Sequence, residues 1–303
     1  MATKSGLALI RGDIYKASFY QRLIFELKKK IFRAITKNAL PLFCRAEDVI
    51  SISPILRGTY EPEMNALLSA LCSVGFNDYL LDIGANIGLT TTQNGSRFKS
   101  IFAFEPNPTA FAVLTANCKQ FGLKHLNLYP FGIGVRDEVV DLHVPKDNMG
   151  GAYIAGDENY YSEESFRQND EARNDVVQVQ IKCGSVILGE VFEALRKSKQ
   201  TSGVIKIDAE GYELTILSQI ASSKREGIDF VAVFENWKVA LTKKDVLDLF
   251  AGNGAVYKLE WNMGGLNKIQ QFMQLATQGE RFRVTDSDHD LVGTVIYSTK
   301  PLL

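Results

Sequence analysis

The sequence has few of the residues that build disulfide frameworks or zinc sites. Its 303 residues include four cysteines and three histidines, and the cysteines form no C-x-x-C pair. This pattern argues against both kinds of framework and is typical of a reducing compartment. The net charge is also small, at −1, so no overall electrostatic field favours binding to nucleic acid.

Long apolar segments are missing as well. No run is long and apolar enough to span a bilayer. The apolar start "GLALI" is short and is followed at once by Arg11 and Asp13, which does not fit a secretory signal peptide. We therefore expect a cytoplasmic protein. The hydrophobic fraction of 46% and the charged fraction of 23% are ordinary for a globular chain of this length.

Residues 15–37 have the periodicity of an amphipathic helix. Apolar residues recur at helical spacing, and the other positions carry seven basic residues and a single acid. The favoured interpretation is a helix packed on the main domain with a solvated basic face. The alternatives are peripheral binding to an anionic membrane surface and self-association with a second subunit.

From about residue 78 the chain alternates between short apolar runs and helical runs. This alternation is typical of an α/β fold with a doubly wound, mostly parallel sheet and helices on both faces. The runs "VVDLHV" and "VVQVQI" alternate like antiparallel strands, and "VYKLEW" and "TVIYST" predict an antiparallel edge at the C-terminal end. We predict an N-terminal helical extension over residues 1–60 and one α/β domain over residues 61–303. The polar, acidic segment 155–175 is predicted to be either disordered or a lid over a site.

A glycine-rich turn follows the first predicted strand. The run "LLDIGANIGLT" places Asp82, Gly84, Asn86 and Gly88 between strand and helix. Glycine lets the backbone turn tightly, and in doubly wound sheets the ligand lies outside the carboxyl ends of the strands. The next strand ends in Glu105, where an acid can hold the two hydroxyls of a ribose. The two features together predict a nucleoside site.

The charge of this turn distinguishes between nucleoside ligands. A dinucleotide site has the pattern G-x-G-x-x-G, but Asn86 stands at its second glycine, and Asp82 would repel a pyrophosphate. S-adenosylmethionine carries a sulfonium and an ammonium group and no phosphate, so charge favours it over NAD. The Gly-Lys-Ser/Thr of a Walker loop is absent. The alternative is a plain strand-to-helix connection in which Asp82 caps the helix.

Three segments resemble the FkbM-type family of S-adenosylmethionine-dependent methyltransferases, namely "LLDIGANIG", "FAFEPNPTAF" and "VIKIDAEGYELTIL". The run "NMGGAY", residues 148–153, is similar to the glycine loop of that family. The resemblance covers roughly residues 78–240. It implies a Rossmann-like sheet of seven strands and O-methylation, often of sugar or polyol hydroxyls.

The resemblance also implies roles for individual residues. The turn after the first strand would line the methionine end of the cofactor, the acid after the second strand would hold the ribose, and the end of the third would lie near the adenine. The residues concerned are Asp82, Gly84, Ala85, Asn86 and Gly88, then Glu105, Pro106 and Asn107, then Gly132 and Ile133. One departure is that "CGSVILGEVF" lacks the Leu-Asp pair that the family usually has in the helix before the fourth strand.

A second group of charged residues ends the apolar strand in "VIKIDAEGYE". Lys206 and Asp208 are two residues apart, so they share one face of the strand, and Lys206 is expected to keep Asp208 ionised. Glu210 and Glu213 are predicted in the first turn of the following helix, where the helix dipole favours anions. The next strand ends in Glu235. We expect these strand ends to open onto the methyl group of the cofactor.

Methyl transfer to a hydroxyl needs an oxygen held near the methyl carbon and a base for its proton. Asp208 is the predicted base or substrate anchor, oriented by Lys206, with Glu210 and Glu235 holding neighbouring hydroxyls. Trp237 offers an apolar face to a sugar ring. Two alternatives for Asp208 are a Mg²⁺ site shared with Glu235 and simple helix capping with an ion pair to Lys206.

The predicted acceptor is a small molecule or glycan, and nucleic acid is not expected. A peptide or another natural product is an alternative acceptor. A further alternative is a membrane- or partner-docked module with a vestigial nucleoside pocket, which works through residues 15–37.

Overall fold

The computed structural model describes residues 19–45, 48–146, 148–155, 159, 174–236, 241–261, 282–286 and 291–302. Its helices are α1 (Phe19–Ile35), α2 (Val49–Leu56), α3 (Pro62–Ser73), α4 (Leu89–Asn94), α5 (Pro108–Gln120), α6 (Gly184–Lys197), α7 (Glu213–Ser223) and α8 (Lys243–Leu249).

The strands are β1 (Tyr79–Ile83), β2 (Ser100–Phe104), β3 (Leu126–Tyr129), β4 (Gly132–Gly134), β5 (Glu138–Pro145), β6 (Tyr153–Ile154), β7 (Asn174–Cys183), β8 (Ser202–Ile207), β9 (Asp229–Asn236), β10 (Ala255–Trp261), β11 (Phe282–Thr285) and β12 (Gly293–Ser298).

The main sheet has the strand order β11-β10-β12-β9-β8-β1-β2-β3. The five strands from β9 to β3 are parallel, whereas β12, β10 and β11 form an antiparallel edge. The predicted α/β class, with its mostly parallel sheet and antiparallel C-terminal edge, is therefore confirmed. In the described part of the chain the sheet has eight strands rather than seven, because β11 pairs with β10.

A second sheet of four strands, β4-β7-β5-β6, contains the predicted antiparallel pair β5 and β7. One segment differs from its prediction, since the third apolar run, "LNLYPFG", divides into β3 in the main sheet and β4 in the second sheet. Pro130, between them, has no backbone N–H to continue the ladder. The division carries Gly132 across to pair with Ile181 of β7.

Both faces of the main sheet are covered, as in a doubly wound fold. In β1, Tyr79, Leu81 and Ile83 pack on the side of α6 and α7, while Leu80 packs on the side of α3. In β8, Ile205 and Ile207 lie on the α6–α7 side and Val204 lies on the α3 side. Lys206 falls at the same alternation as Val204, so this lysine is directed away from the α6–α7 core.

The N-terminal residues divide into an exposed part and a packed part. The large apolar side chains of α1 are each at least half exposed, so the favoured interpretation of a helix packed on the domain is wrong. Further along, Ile50 of α2 is buried in a cluster with Ile87, Leu89 and Ala110. None of the helices within the described ranges is long and apolar enough to cross a membrane.

Candidate active site

The turn after β1 is held by backbone hydrogen bonds to the end of β2. The N–H groups of Gly84 and Ala85 both donate to the carbonyl oxygen of Phe104, each at 3.0 Å. Gly84, Asn86 and Gly88 have φ angles of +79°, +50° and +83°. Only glycine adopts such angles freely, and asparagine tolerates them better than most residues. The glycine-rich pattern is thus needed to form the turn.

Gly84 also lets two strand ends approach closely. A Cβ atom at this position would overlap the carbonyl oxygen of Asp208. The N–H of Asp208 in turn donates to the carbonyl oxygen of Ile83 at 2.9 Å. The turn after β1 and the turn after β8 are therefore in direct backbone contact, which places their carboxylates on one edge of the sheet.

Glu105, at the end of β2, is buried and accepts two backbone hydrogen bonds. Its Oε2 accepts from the N–H of Asn86 at 2.7 Å, and its Oε1 accepts from the N–H of Asn107 at 2.8 Å. Burial raises the pKa of Glu105 to about 7, although these two donors act in the opposite direction. The Glu105 carboxyl is therefore poised to change its charge near neutral pH.

Asp82, Lys206 and Asp208 form a charged chain across β1 and β8. The Lys206 Nζ lies 3.0 Å from Oδ2 of Asp208 and 3.8 Å from Oδ1 of Asp82. Asp82 is fully buried, and its Oδ2 accepts the Thr91 hydroxyl at 2.5 Å. Burial raises the pKa of Asp82, and the attraction to Lys206 offsets only part of that effect. Asp82 does not cap α4, which has Gly88 at its N-cap.

Lys206 remains protonated despite its burial. Burial by itself would lower the pKa of the ammonium group, but attraction to Asp208, Asp82 and Glu61 outweighs it and holds the pKa well above the usual value. The side chain of Asp208 is 35% exposed, whereas that of Lys206 is 8% exposed. Lys206 is thus the buried partner of the more exposed Asp208 in an ion pair, and the sequence predicted this pairing.

The turn between β8 and α7 is organised by Glu213. Its Oε1 accepts from the N–H of Ala209 and its Oε2 from the N–H of Gly211, both at 3.0 Å. The helix begins at Glu213, so the prediction that Glu210 lies in its first turn is wrong. Glu210 instead occupies the turn, with a φ of +41°. Neither Asp208 nor Glu210 is the N-cap of α7, which is Tyr212, so helix capping does not account for these two acids.

Two residues before α3 join the charged chain, and sequence reasoning missed them. Glu61 interacts electrostatically with Lys206, Asp208 and Glu235, and burial raises its pKa to about 7. Tyr60 is half-buried beside it, and burial together with the Glu61 charge raises the pKa of Tyr60 far above its usual value. Pro62 marks the start of a helix, but nothing in the local sequence indicates that the preceding acid would meet Lys206.

Glu61 has two features that are costly for a merely structural residue. Its φ is +43°, in the left-handed region that only glycine adopts without strain. Its Oε2 is buried with no hydrogen-bond partner among the described residues. Strained backbone and unsatisfied buried polar groups are concentrated at functional sites.

A cavity opens at this edge of the main sheet, at the carboxyl ends of the parallel strands, where doubly wound sheets bind their ligands. Several predicted site residues line it together. They are Gly84, Asn86, Glu105, Pro106, Gly132 and Ile133 from the predicted cofactor set, and Asp208 and Glu210 from the predicted acceptor set.

The other predicted residues lie behind this wall or beside it. Ala85 packs with Ala103 and Leu114, and Gly88 contacts Leu114 at the start of α4. Asn107 caps α5 by accepting the N–H groups of Thr109 and Ala110. The remaining three are Asp82 and Lys206, which are buried, and Glu235, which is half-buried near the end of β9.

The predicted glycine loop also lines the cavity, with Gly150 beside Asn86. Met149, Gly150 and Ala152 line it, and the N–H of Met149 donates to Oδ2 of Asp48 at 3.2 Å. An aspartate just before α2 therefore ties the N-terminal region to this loop.

Part of the predicted lid is also described. Asn159 donates its amide to the carbonyl oxygens of Ile154 at 2.7 Å and Glu210 at 3.1 Å. Most of segment 155–175 lies outside the described residues, as does Trp237. The Asn159 contacts join the start of this segment to the turn that carries Glu210.

Comparison with known families identifies the origin of this arrangement. A model described as the Methyltransferase FkbM domain matches residues 82–251, which is more than half of the chain. The chain belongs to the FkbM methyltransferase family. This confirms the resemblance and makes the protein a methyltransferase. No curated protein matches the sequence.

Solved structures are similar to this FkbM chain at low identity. Methyltransferase FkbM from Methylobacillus flagellatus is 10% identical, with a TM-score of 0.34, over 91% of this chain and 60% of that one. Precorrin 8W decarboxylase from Methanobacterium thermoautotrophicum is 15% identical, with a TM-score of 0.37, over 85% and 99%. An rRNA methylase from Streptococcus thermophilus is 10% identical, with a TM-score of 0.37, over 78% and 95%. None of these proteins bears on the substrate of this chain.

The start of α6, where the sequence lacks the Leu-Asp pair, is held by contacts from other elements. The N–H of Ser185 in α6 donates to Oε1 of Gln219 in α7 at 3.0 Å. The N–H of Cys183 donates to Oδ1 of Asp137 at 2.8 Å. A Cβ at Gly184 would press on Ile133 and Gln219. The start of α6 therefore packs closely behind the cavity wall without an acid of its own.

The predicted Mg²⁺ site receives no support from this FkbM fold. Among the described residues, no group of three histidine, cysteine or acidic side chains is placed to hold a metal ion. Asn236, beside Glu235, is fully buried and donates its amide to the carbonyl oxygen of Leu291. The Lys206 ammonium is the positive charge that Asp208 and Asp82 share.

Proposed function

We propose that this protein transfers the methyl group of S-adenosylmethionine to a hydroxyl oxygen of a sugar, a glycan or a polyol-like small molecule. One observation carries the proposal: Glu105 and Asp208 line the same cavity, at the ends of strands β2 and β8. In this proposal, Glu105 binds the ribose of the cofactor and Asp208 binds the acceptor hydroxyl in the same cavity.

The residues of the cavity fit a nucleoside with a positively charged tail. The Glu105 carboxylate is available to ribose hydroxyls, as acids at this position are in related sheets. Apolar side chains, including Ile133 and Leu142, line the cavity and suit an adenine ring. The carboxylates of Asp208 and Glu210 suit a ligand that carries ammonium and sulfonium charges. No basic residue lines this cavity, among the described residues, to bind a pyrophosphate.

Asp208 is the base in this proposal. S-adenosylmethionine would supply a methyl group bound to a sulfonium sulfur. When the methyl group is transferred, the rest of the cofactor leaves as the neutral thioether S-adenosylhomocysteine. Asp208 accepts the proton of the acceptor hydroxyl as the oxygen forms its bond to the methyl carbon, and the Lys206 ammonium at 3.0 Å orients the carboxylate. Glu210, which lines the same cavity, accepts a hydrogen bond from a neighbouring hydroxyl.

The polarity of this edge supports the proposed acceptor class. Glu210, Asp208 and the half-buried Glu235 provide carboxylate acceptors near the strand ends, and adjacent hydroxyls of a polyol donate to such groups. A peptide or another natural product is the second candidate. A vestigial pocket that binds the nucleoside without turnover is the third.

The first test is ligand-dependent stability. S-adenosylhomocysteine is expected to raise the melting temperature of the protein, because a ligand that binds only the folded state stabilises it. NAD at the same concentration is expected to leave the temperature unchanged. A shift with NAD and none with S-adenosylhomocysteine would remove the proposal.

The second test identifies the acceptor. The protein is incubated with methyl-labelled S-adenosylmethionine and separate panels of sugars, polyols and peptides. Label in an alkali-stable methyl ether of a sugar or polyol supports the proposal. Label only in peptides supports the second candidate. A cell extract serves as the final panel. Binding of S-adenosylmethionine without transfer of label to any panel, the extract included, indicates a vestigial pocket.

A further inference from the structure

Helix α1 presents an apolar stripe that the described structure leaves uncovered. The side chains of Tyr20, Leu23, Ile24, Leu27, Ile31 and Ile35 are between 50% and 73% exposed. Leu23 and Ile24 are adjacent and the other intervals are three or four residues, which places all six on one face of a helix with 3.6 residues per turn. A stripe of this length is costly to leave in water, so it points to an occupant outside the described domain.

The charges of α1 indicate what that occupant is. Lys29 and Arg33 lie on the side opposite the stripe, since they are nine and thirteen residues from Tyr20. Lys28 and Lys30 flank the stripe, one on each edge, and all four basic side chains are exposed. Glu26 is the single acid in the helix and lies 3.4 Å from Lys29. The helix therefore carries an excess of positive charge beside its apolar face.

A second copy of α1 does not suit this distribution. Two α1 helices paired through their stripes would bring the flanking residues Lys28 and Lys30 of one copy beside those of the other. Like charges at such flanking positions oppose association. An anionic lipid surface has the complementary charge, and flanking lysines extend their ammonium groups to headgroups while their stems stay in the apolar layer.

We propose that α1 lies in the plane of an anionic membrane surface, with the stripe inserted at the boundary between headgroups and acyl chains. Lys28, Lys29, Lys30 and Arg33 contact the headgroups. The proposal does not depend on the reaction that the cavity catalyses.

The segment after α1 is attached firmly to the methyltransferase domain. The N–H of Phe43 donates to Oδ1 of Asn117 in α5 at 2.7 Å, and the amide of Asn117 donates back to the carbonyl oxygen of Phe43 at 3.0 Å. The N–H of Leu40 donates to the carbonyl oxygen of Pro54 at 3.0 Å. Only a few residues separate Ile35 from these contacts, so a membrane-bound α1 would hold the domain close to the lipid surface.

The test is co-sedimentation of the full chain with vesicles. We expect binding to phosphatidylcholine vesicles that contain phosphatidylserine and much weaker binding to phosphatidylcholine alone, with loss of binding as salt is added. The double substitution Lys29→Glu and Arg33→Glu reverses two charges and should weaken binding at least about tenfold. Leu27→Gln with Ile31→Gln keeps the net charge and should weaken binding by a similar factor, because it removes apolar area.

A matched control separates these effects from a general change of charge. Lys119→Glu with Lys124→Glu makes the same change in net charge at exposed positions outside α1 and should bind vesicles like the wild type. Circular dichroism checks that each variant is folded. Equal sedimentation with both vesicle types, or retained binding in both α1 variants, would overturn the proposal. So would a dimer, detected by light scattering, that the Leu27→Gln, Ile31→Gln variant converts to a monomer.

Discussion

The turns after β1 and β8 lie side by side, yet they are held in different ways. The turn after β1 depends on backbone geometry, with positive φ at three residues and N–H groups bonded to Phe104 and Glu105. The turn after β8 also has positive φ, at Glu210 and Gly211, but its N–H groups are accepted by Glu213, an acid of the following helix rather than of a strand end. In the turn after β1, the nearby acid Glu105 accepts backbone hydrogen bonds. In the turn after β8, the nearby acid Asp208 lines the cavity and is paired with Lys206.

This difference separates recognition from chemistry in the proposed function. A turn built from backbone hydrogen bonds is a rigid frame, which suits a cofactor whose shape does not vary. The charges around Lys206 come from three separate parts of the chain, at Glu61, Asp82 and Asp208. Such a network is sensitive to each of its members, which suits a site that takes up a proton. The predictions below test this division, from the largest effect to the smallest.

Asp208→Asn is expected to lower the turnover number by about a thousandfold, because an amide cannot take the acceptor proton. Affinity for S-adenosylhomocysteine should stay within about a factor of three, since this ligand lacks the sulfonium charge that Asp208 would face and the frame after β1 is unchanged. The measurements are methyl transfer to the identified acceptor and calorimetric titration with S-adenosylhomocysteine. Full turnover in this variant would make Asp208 structural and would break the division between the two turns.

Gly84→Ala is expected to lower the free energy of unfolding by about 3 kcal/mol or more, because its Cβ would overlap the Asp208 carbonyl oxygen and its φ is +79°. Gly75→Ala is the matched control. Gly75 also has a positive φ, of +101°, but a Cβ there would meet nothing within 4 Å, so a loss of only about 1 kcal/mol is expected. Urea unfolding of both variants measures the difference, and equal losses would contradict the close approach of the two turns.

Glu61→Gln is expected to make stability less dependent on pH. The folded-state pKa of Glu61 is raised from 4.5 to about 7, so its contribution to stability is present below pH 4.5 and is lost as the pH rises through 7. The free energy of unfolding of the variant should exceed that of the wild type by on the order of 1–3 kcal/mol at pH 8, and by little at pH 4.5.

The measurement for Glu61 is urea unfolding at both pH values. Glu63→Gln serves as the control, since it changes a nearby acid by the same chemistry. An identical gain at both pH values would show that Glu61 is not the group whose ionisation is suppressed.

Glu105→Gln is expected to remove the pH dependence of cofactor affinity. The pKa of Glu105 is raised to about 7, and the ionised form is the better acceptor for ribose hydroxyls. Affinity for S-adenosylhomocysteine should therefore rise about tenfold between pH 6 and pH 8 in the wild type, as the carboxyl loses its proton. Calorimetry across this range should give a flat profile for the variant. A slope that survives the substitution would assign the titration to another group.

Much of the frame after β1 was predictable because its signals are local. Alternating apolar runs predicted the parallel sheet, and Asp82, Gly84, Asn86 and Gly88 predicted the turn. The spacing to Glu105 indicates a nucleoside site from the sequence alone. The surroundings of Asp208 were predicted less completely. Lys206 was recognised as its partner because the two residues share a strand face.

The errors arose where local pattern and tertiary contacts disagree. The preference of acids for a first turn predicts Glu210 in the helix, but Glu213 accepts the N–H groups of Ala209 and Gly211 and the helix begins at Glu213. The apolar periodicity of α1 was correct, yet periodicity alone does not say what the apolar face meets.

The sequence by itself determined the alternation of strands and helices from about residue 78, the glycine-rich turn and the presence of acids at the ends of three strands, because propensity, periodicity and turn chemistry act over a few residues. Only the tertiary structure decided that Glu61 joins Lys206, that Asp82 is buried behind the cavity and that α1 keeps its apolar face exposed. These outcomes depend on contacts between residues distant along the chain, and the free energy of burial and of charge pairing is set by what each side chain meets after folding.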